Sequence, residues 1–182
     1  MVVSRVELRA LWANSVFSIL FMHLPFLLLP WFASAEDIGV FAVAHKLINV
    51  ITTLLILLAS VFGPVFARAA ASNDDRALSA ALRKTQWISL AIYIPLVVVL
   101  LLAGDLLTGL FNLPAQSLYP YLLALASGQL INAATGLPGV LLNMVGEARR
   151  ELKSLLLSLL LALSIVPFVG HMYGAIGIAW LF

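Results

Sequence analysis

The sequence predicts an all-α, polytopic membrane helical bundle of about five transmembrane helices and the start of a sixth. Composition is the first observation, since hydrophobic residues make up 63% of the 182-residue chain and charged residues 10%. Soluble domains average roughly 45–50% and 25%. The other two observations are a series of long apolar runs, with a mean hydropathy of +1.11 for the chain, and basic residues confined to every other connector between those runs.

Five apolar runs are long enough to cross a bilayer, because about 20 apolar residues span about 30 Å of hydrocarbon. The predicted spans are residues 11–32, 38–66, 87–111, 119–145 and 152–169, and a partial sixth covers residues 173–182. A helix that stopped inside the membrane would leave carbonyl groups unpaired in lipid. We therefore expect the chain to be a natural or truncated fragment, or one lobe of a larger membrane protein.

The basic residues predict the orientation of the bundle. Nine of the ten lysine and arginine residues lie in three connectors, as follows: Arg5, Arg9, Arg68, Arg76, Arg83, Lys84, Arg149, Arg150 and Lys153. The alternate connectors, residues 33–38, 112–119 and 170–174, have no lysine or arginine. This is the positive-inside pattern of a multi-pass inner-membrane protein, and it predicts a cytoplasmic N-terminus for this chain.

Residues 74–84, between the second and third predicted spans, are expected to form a separate cytoplasmic amphipathic helix. The segment Ser72-Asn73-Asp74-Asp75 precedes it. These residue types favour helix N-caps, so the segment is a suitable start for a helix that runs to Lys84.

Two predicted spans carry their polar and small residues on one face when projected at about 100° per residue. The second span contributes His45, Lys46, Asn49, Thr52, Thr53 and Ser60, and the fourth contributes Gln129, Asn132, Thr135 and Asn143 with several glycines. Each stripe fits an arc of about 120°. The stripes could line a water-filled cleft, or they could be hydrogen-bonded contacts between closely packed helices.

Lys46 is the basic residue that lies inside an apolar run, about 12 Å inward from Ile38 along a helix. A lysine at that depth costs about 2.5–3.5 kcal/mol unless it reaches water or a partner. Snorkelling of its long stem is the competing explanation. We favour a wet cleft, and its expected lining is Lys46, His45, Asn49, Thr52, Thr53, Gln129, Asn132 and Asn143.

The sequence shows no pattern that indicates catalysis. It has no nucleophile–base–acid set, no metal-ligand cluster and no glycine loop of the kind that holds phosphate. The chain has no cysteine, and its three histidines lie on separate predicted elements. We therefore expect no enzymatic activity, no metal site and no cofactor.

Several segments resemble a known family. Residues 38–47, Ile-Gly-Val-Phe-Ala-Val-Ala-His-Lys-Leu, resemble the start of a span in polysaccharide-export flippases of O-antigen type. These flippases are a branch of the multidrug/oligosaccharidyl-lipid/polysaccharide exporter superfamily. Residues 63–67, Gly-Pro-Val-Phe-Ala, and the runs 128–133 and 141–146, which a basic loop follows, also resemble the family. The resemblance covers nearly the whole chain and corresponds to the C-terminal half of a family member.

The resemblance implies one lobe of a two-lobed bacterial inner-membrane transporter. It would flip undecaprenyl-diphosphate-linked oligosaccharide from the cytoplasmic to the outer leaflet during surface polysaccharide biosynthesis. Lys46 would contact the diphosphate, since lysine acts as a point charge toward phosphate, and the amides would contact sugar hydroxyls. The expected partners are the bilayer, the lipid-linked oligosaccharide, an N-terminal lobe missing from this sequence, and a polysaccharide polymerase with glycosyltransferases; no nucleic acid is expected.

Two alternatives stay open. A cation-coupled multidrug antiporter of the same fold would need an acid in the membrane-embedded cleft, and no carboxylate lies at the centre of a predicted span. A non-transporting membrane scaffold would use both polar stripes as dry helix contacts.

Overall fold

A computed structural model describes residues 5–72, 75–114, 117–136 and 138–182, and the regular structure in these ranges is entirely helical. The elements are α1 (Arg5–Leu28), a 3-10 turn (Leu29–Trp31), α2 (Ala35–Ala71), α3 (Asp75–Leu102), α4 (Gly104–Leu110), α5 (Leu118–Thr135), α6 (Pro138–Met144) and α7 (Ala148–Leu181). In the described part, α2, α3, α7 and the segment Leu8–Trp31 are long and apolar enough to cross a membrane. Helices α5 and α6 pass the same test only when they are taken together as one element, which is bent by 41°. The predicted all-α polytopic membrane bundle is confirmed.

Helices α1 and α7 run parallel and pack along most of their length. At one end, Asn14 Nδ2 of α1 donates a hydrogen bond to the Ala148 carbonyl of α7 at 3.0 Å. At the other end, just after the 3-10 turn that follows α1, Phe32 Cγ would lie 2.6 Å from a Cβ added to Gly170 of α7. The end with Asn14 is called the basic side, and the opposite end the far side. Exposed basic side chains at the helix ends on the basic side are Arg9, Arg68, Arg76, Arg83, Lys84, Arg149, Arg150 and Lys153.

The far-side start of α2 is held by a capping residue. Ser34 Oγ accepts a hydrogen bond from the Asp37 backbone N–H at 3.1 Å, which satisfies one of the free donors of the first turn. The Asp37 carboxylate also suits the positive end of the helix dipole. Tyr121 OH of α5 donates to Asp37 Oδ1 at 3.3 Å. The far-side ends of α2 and α5 are thereby joined.

The main core lies between α2 and α5. Phe41 and Ala44 of α2 and Leu118 and Leu122 of α5 are fully buried there. Helix α3 packs on the outside of this pair, and Tyr93 OH of α3 donates to the Ala126 carbonyl of α5 at 2.7 Å. The two helices that carry the predicted polar stripes are therefore neighbours at the centre of the bundle.

The predicted fourth span, residues 119–145, is broken into α5 and α6. Gly136 has a left-handed backbone, with φ +75°, and its N–H bonds the Ala133 carbonyl. Pro138 then begins α6. Glycine after a helix and proline at the first position of the next are the residues that favour such a break. The predicted span continues through Gly136 and Pro138 in the sequence, but its backbone changes direction at this point.

The predicted third span, residues 87–111, is also divided. Helix α3 ends at Leu102 and α4 begins at Gly104. A Cβ on Gly104 would lie 2.5 Å from Tyr119 Cζ. The missing side chain therefore lets the start of α4 lie against the start of α5.

Residues 75–84 are not the separate helix that the sequence analysis predicted. They are the first turns of α3, which runs without interruption from Asp75. Between Asp75 and Pro95 the sequence has no glycine or proline, so no helix-breaking residue ends the helix at Lys84. Of the predicted cap, Asn73 and Asp74 lie outside the described residues, and Ser72 is the C-cap that follows α2.

The chain reverses direction at Gly174. Its φ of 59° and ψ of −142° are not helical and suit glycine, which has no Cβ to clash. A Cβ on Gly177 would lie 2.6 Å from Val169 Cγ1, which shows that the chain folds back on itself. Residues 175–182, called the return segment, pack into the main core through Ile178 and reach α1 through Phe182.

Candidate functional site

A polar groove of about 420 Å³ opens between α1, α2, α5 and α7. The polar residues that α2 and α5 contribute to its lining are His45, Asn49, Thr52, Gln129 and Asn132. These five residues define the amide groove. The rest of the lining is Ser18, Phe21, Met22, Pro25, Ile48, Leu125, Leu155 and Phe182. A few polar groups in a mostly apolar cavity of this size are typical of a small-molecule site.

On the α2 wall, His45 and Asn49 form one hydrogen-bonded unit. Asn49 Nδ2 lies 3.0 Å from His45 Nδ1, and an amide NH₂ can only donate, so the ring nitrogen accepts. The His45 ring also stacks on the Phe41 ring, with centroids 5.7 Å apart, and lies nearly perpendicular to the Phe26 ring, with centroids 4.9 Å apart. These contacts fix the orientation of the imidazole. Because Nδ1 accepts a hydrogen bond, Nε2 is the ring nitrogen that can donate one.

On the α5 wall, Asn132 Nδ2 donates to Gln129 Oε1 at 3.3 Å. Within the described residues, nothing pairs with Gln129 Nε2, Asn132 Oδ1 or Asn49 Oδ1. The groove therefore presents both donors and acceptors that a bound polar molecule could satisfy. Its lining in the described part of the chain includes no charged residue.

Lys46 and Thr53, two of the predicted lining residues, lie outside the amide groove on the exposed face of α2. Thr53 Oγ1 donates to the Asn49 carbonyl at 2.8 Å, and Thr52 Oγ1 makes the same kind of bond to Ile48 at 3.1 Å. Lys46 lies one helical turn before Asn49, so it is beside the opening of the groove rather than inside it.

Asn143 does not join the amide groove. Asn14 Nδ2 donates to Asn143 Oδ1 at 3.1 Å, at the basic side, where it joins α6 to α1. The projection that grouped Asn143 with Gln129 and Asn132 assumed one straight helix. The break at Gly136 turns α6 away, so that the face shared by α5 and α6 is lost.

A second cavity, of about 550 Å³, continues the amide groove toward the basic side. It shares Ser18, Asn132 and Leu155 with the groove, and its charged lining residue is Glu151. We call it the Glu151 pocket. Its full lining in the described chain is Ser18, Ile56, Asn132, Pro138, Gly139, Val140, Glu151, Ser154, Leu155 and Ser158.

The α7 side of this pocket is not among the site residues predicted from the sequence. Glu151, Ser154, Leu155 and Ser158 recur at the i, i+3, i+4, i+7 spacing of a single helix face. Glu151 lies among Arg149, Arg150 and Lys153 and just before the predicted span 152–169, so a search for polar stripes within spans does not include it. The spacing alone could have identified it.

A comparison with protein-family models relates the chain to known proteins. The model described as "Polysaccharide biosynthesis protein" matches residues 9–112, which include α2 and its wall of the amide groove. Neither the curated proteins nor the solved structures gave a significant match. Because the family match covers more than half of the sequence and the fold has several membrane-spanning helices, the chain is a multi-pass membrane protein that belongs to the polysaccharide biosynthesis protein family.

Proposed function

We propose that the protein is a flippase lobe for undecaprenyl-diphosphate-linked oligosaccharide, which it moves from the cytoplasmic to the outer leaflet during surface polysaccharide biosynthesis. The observation that carries the proposal is the amide groove, a polar cavity between the two central helices of an otherwise apolar bundle. Polar groups at membrane depth are costly, and they usually mark a substrate path. Membership of a polysaccharide biosynthesis family supports a glycan as the cargo.

The chemistry of the amide groove suits sugar rings. A sugar hydroxyl is both a donor and an acceptor, and the groove offers Gln129 Nε2 as a free donor and Asn49 Oδ1 and Asn132 Oδ1 as free acceptors. Amides bind without a net charge, so they can release the cargo on the other side of the membrane. The apolar Phe21, Met22 and Leu125 provide the surface for the less polar faces of the rings.

Lys46 is the proposed contact for the diphosphate. It is exposed on α2, beside the amide groove, with no ion-pair partner in the described part of the chain. A headgroup bound there would leave the sugars in the groove and the isoprenoid tail in lipid. The phosphate charge would also compensate for the cost of a lysine at this depth.

We propose that the basic side is cytoplasmic, because positively charged connectors stay on that side of a bacterial inner membrane. The exposed face of α2 would then meet a second, N-terminal lobe, and the two lobes would enclose the cargo. Glycosyltransferases and a polysaccharide polymerase would supply and use the cargo. Moving a lipid-linked glycan makes and breaks no covalent bond, so the proposal requires neither a catalytic residue nor a cofactor.

A cation-coupled multidrug antiporter of the same fold is the second candidate, since Glu151 provides an acid that lines a cavity connected to the amide groove. The two functions differ in their cargo. A sodium- or pH-dependent gain of drug resistance in cells that express the complete transporter would favour the antiporter.

The flippase proposal is tested by translocation of a fluorescent undecaprenyl-diphosphate oligosaccharide in vesicles containing the complete transporter. We expect Asn49→Leu and Asn132→Leu each to slow transfer about five- to tenfold, because each removes a hydrogen bond worth about 1 kcal/mol. Thr53→Val, on the exposed face of the same helix, is the matched control and should transfer at the wild-type rate. Equal rates for all four proteins would contradict the proposal. Normal transfer by Lys46→Ala would remove only the role of Lys46.

A further inference from the structure

We propose that the Glu151 pocket is a second sugar subsite, which binds a neutral polyhydroxylated ring and selects against glycans with acidic groups. The proposal rests on the proposed function, because it concerns the same cargo. The pocket and the amide groove share Ser18, Asn132 and Leu155, so a single oligosaccharide can extend from one cavity into the other. A volume of about 550 Å³ lies within the range that binding sites occupy.

The serine hydroxyls of the pocket are free to bind a ligand. Ser18, Ser154 and Ser158 have no hydrogen-bond partner among the described residues. Other helical serines donate to a carbonyl of their own helix, as Ser60, Ser79, Ser127 and Ser164 do, whereas the buried Ser89 of α3 has no partner among the described residues. A serine that makes such a bond has its donor occupied. The three pocket serines therefore present donors and acceptors toward the cavity.

The Glu151 carboxylate is half-buried and has no ion-pair or hydrogen-bond partner in the described structure. It lies against Gly139, where an added Cβ would be 2.5 Å from Oε1 and 3.4 Å from Oε2. The glycine thus makes room for both carboxylate oxygens. Glu147, one turn earlier, instead forms an exposed ion pair with Arg150 at 3.1 Å.

The charge of the pocket determines which sugars it suits. Its described lining has one carboxylate and no lysine, arginine or histidine. The two oxygens of a carboxylate can accept hydrogen bonds from two adjacent sugar hydroxyls, and such charge-assisted bonds are the stronger kind. A uronic acid would bring a second negative charge next to Glu151, with no cation in the pocket to compensate. Like charges placed together at an interface oppose binding strongly.

The test compares two ligands that differ only at C6, methyl β-glucoside and methyl β-glucuronide. Binding to the purified full chain in lipid nanodiscs can be followed by saturation-transfer NMR. We expect wild-type protein to prefer the glucoside about tenfold or more, and Glu151→Gln to bring the two affinities close together. Gly139→Ala, which displaces the carboxylate without removing it, should also reduce the preference. Glu147→Gln removes the same charge outside the pocket and should keep it.

Several results would overturn the subsite. These are no glucoside binding to the wild type, equal binding of both ligands, or an unchanged preference in Glu151→Gln. Loss of sodium binding in Glu151→Gln, with the sugar preference unchanged, would make Glu151 a cation ligand instead. If wild-type protein flips the lipid-linked glycan but shows no glucoside preference, only the subsite fails. If the preference is present but translocation is absent, the proposed function fails and the subsite stands.

Discussion

The contact between Gly170 of α7 and Phe32, which follows the 3-10 turn after α1, makes the most definite prediction about packing. A Cβ there would lie 2.6 Å from Phe32 Cγ and 2.8 and 2.9 Å from its two Cδ atoms. The Phe32 ring is also packed edge-on against the His171 ring at 5.1 Å, which limits how far it can move away. Forcing one extra carbon into a packed contact typically costs about 1–3 kcal/mol.

Gly170→Ala should therefore destabilise the fold by about 0.5–2 kcal/mol, because alanine recovers about 0.5–1 kcal/mol through its better helix propensity. Gly39→Ala is the matched control, since a Cβ at Gly39 in α2 meets nothing within 4 Å. That control should be as stable as wild type or slightly more stable. The assay is unfolding by sodium dodecyl sulfate in mixed micelles, followed by circular dichroism. If Gly170→Ala proves as stable as Gly39→Ala, the close contact between Phe32 and α7 is wrong.

Two further predictions concern hydrogen bonds between helices, and the same unfolding assay measures both. Tyr93→Phe removes the bond to the Ala126 carbonyl and should cost about 0.5–1.5 kcal/mol, whereas Tyr173→Phe, at a residue 63% exposed, should cost nothing. A Tyr93→Phe protein with wild-type stability would contradict the contact between α3 and α5. Asn14→Ala removes two bonds and should cost about 1–2 kcal/mol, about twice the cost of Asn143→Ala, which removes one of them. Equal costs for these two variants would mean that the bond from Asn14 to the α7 backbone contributes nothing.

The sequence was sufficient to predict the helical membrane bundle because apolar runs and connector charges follow from the order of residues along the chain and need no knowledge of tertiary contacts. The amide groove could also be predicted in part. His45, Asn49 and Thr52 share one face of α2 by spacing, and they face Gln129 and Asn132 because α2 and α5 are neighbours. Periodicity identifies a face, but only tertiary packing decides which faces meet.

The other predicted contacts depended on details that periodicity does not contain. Asn143 was grouped with the groove because the apolar run continues through Gly136 and Pro138, although both residues favour a break. Lys46 lies outside the groove because the stripe on α2 is wider than the cavity it borders. Glu151 was overlooked because its neighbours in sequence are basic, whereas its neighbours in space are serines and a glycine.

The central claim is that the amide groove is open to water within the membrane, and cysteine labelling tests it most directly. The chain has no cysteine, so a single Asn49→Cys or Asn132→Cys provides the sole thiol. Val99→Cys, at a residue of α3 that is 62% exposed on the apolar surface, and Leu122→Cys, in the fully buried core, are the controls. In membranes treated on both sides with a membrane-impermeant maleimide, we expect the two groove cysteines to react and the two controls to stay unlabelled. If Asn49→Cys and Asn132→Cys are as unreactive as the controls, the polar residues form a dry helix contact and the groove is not a transport path.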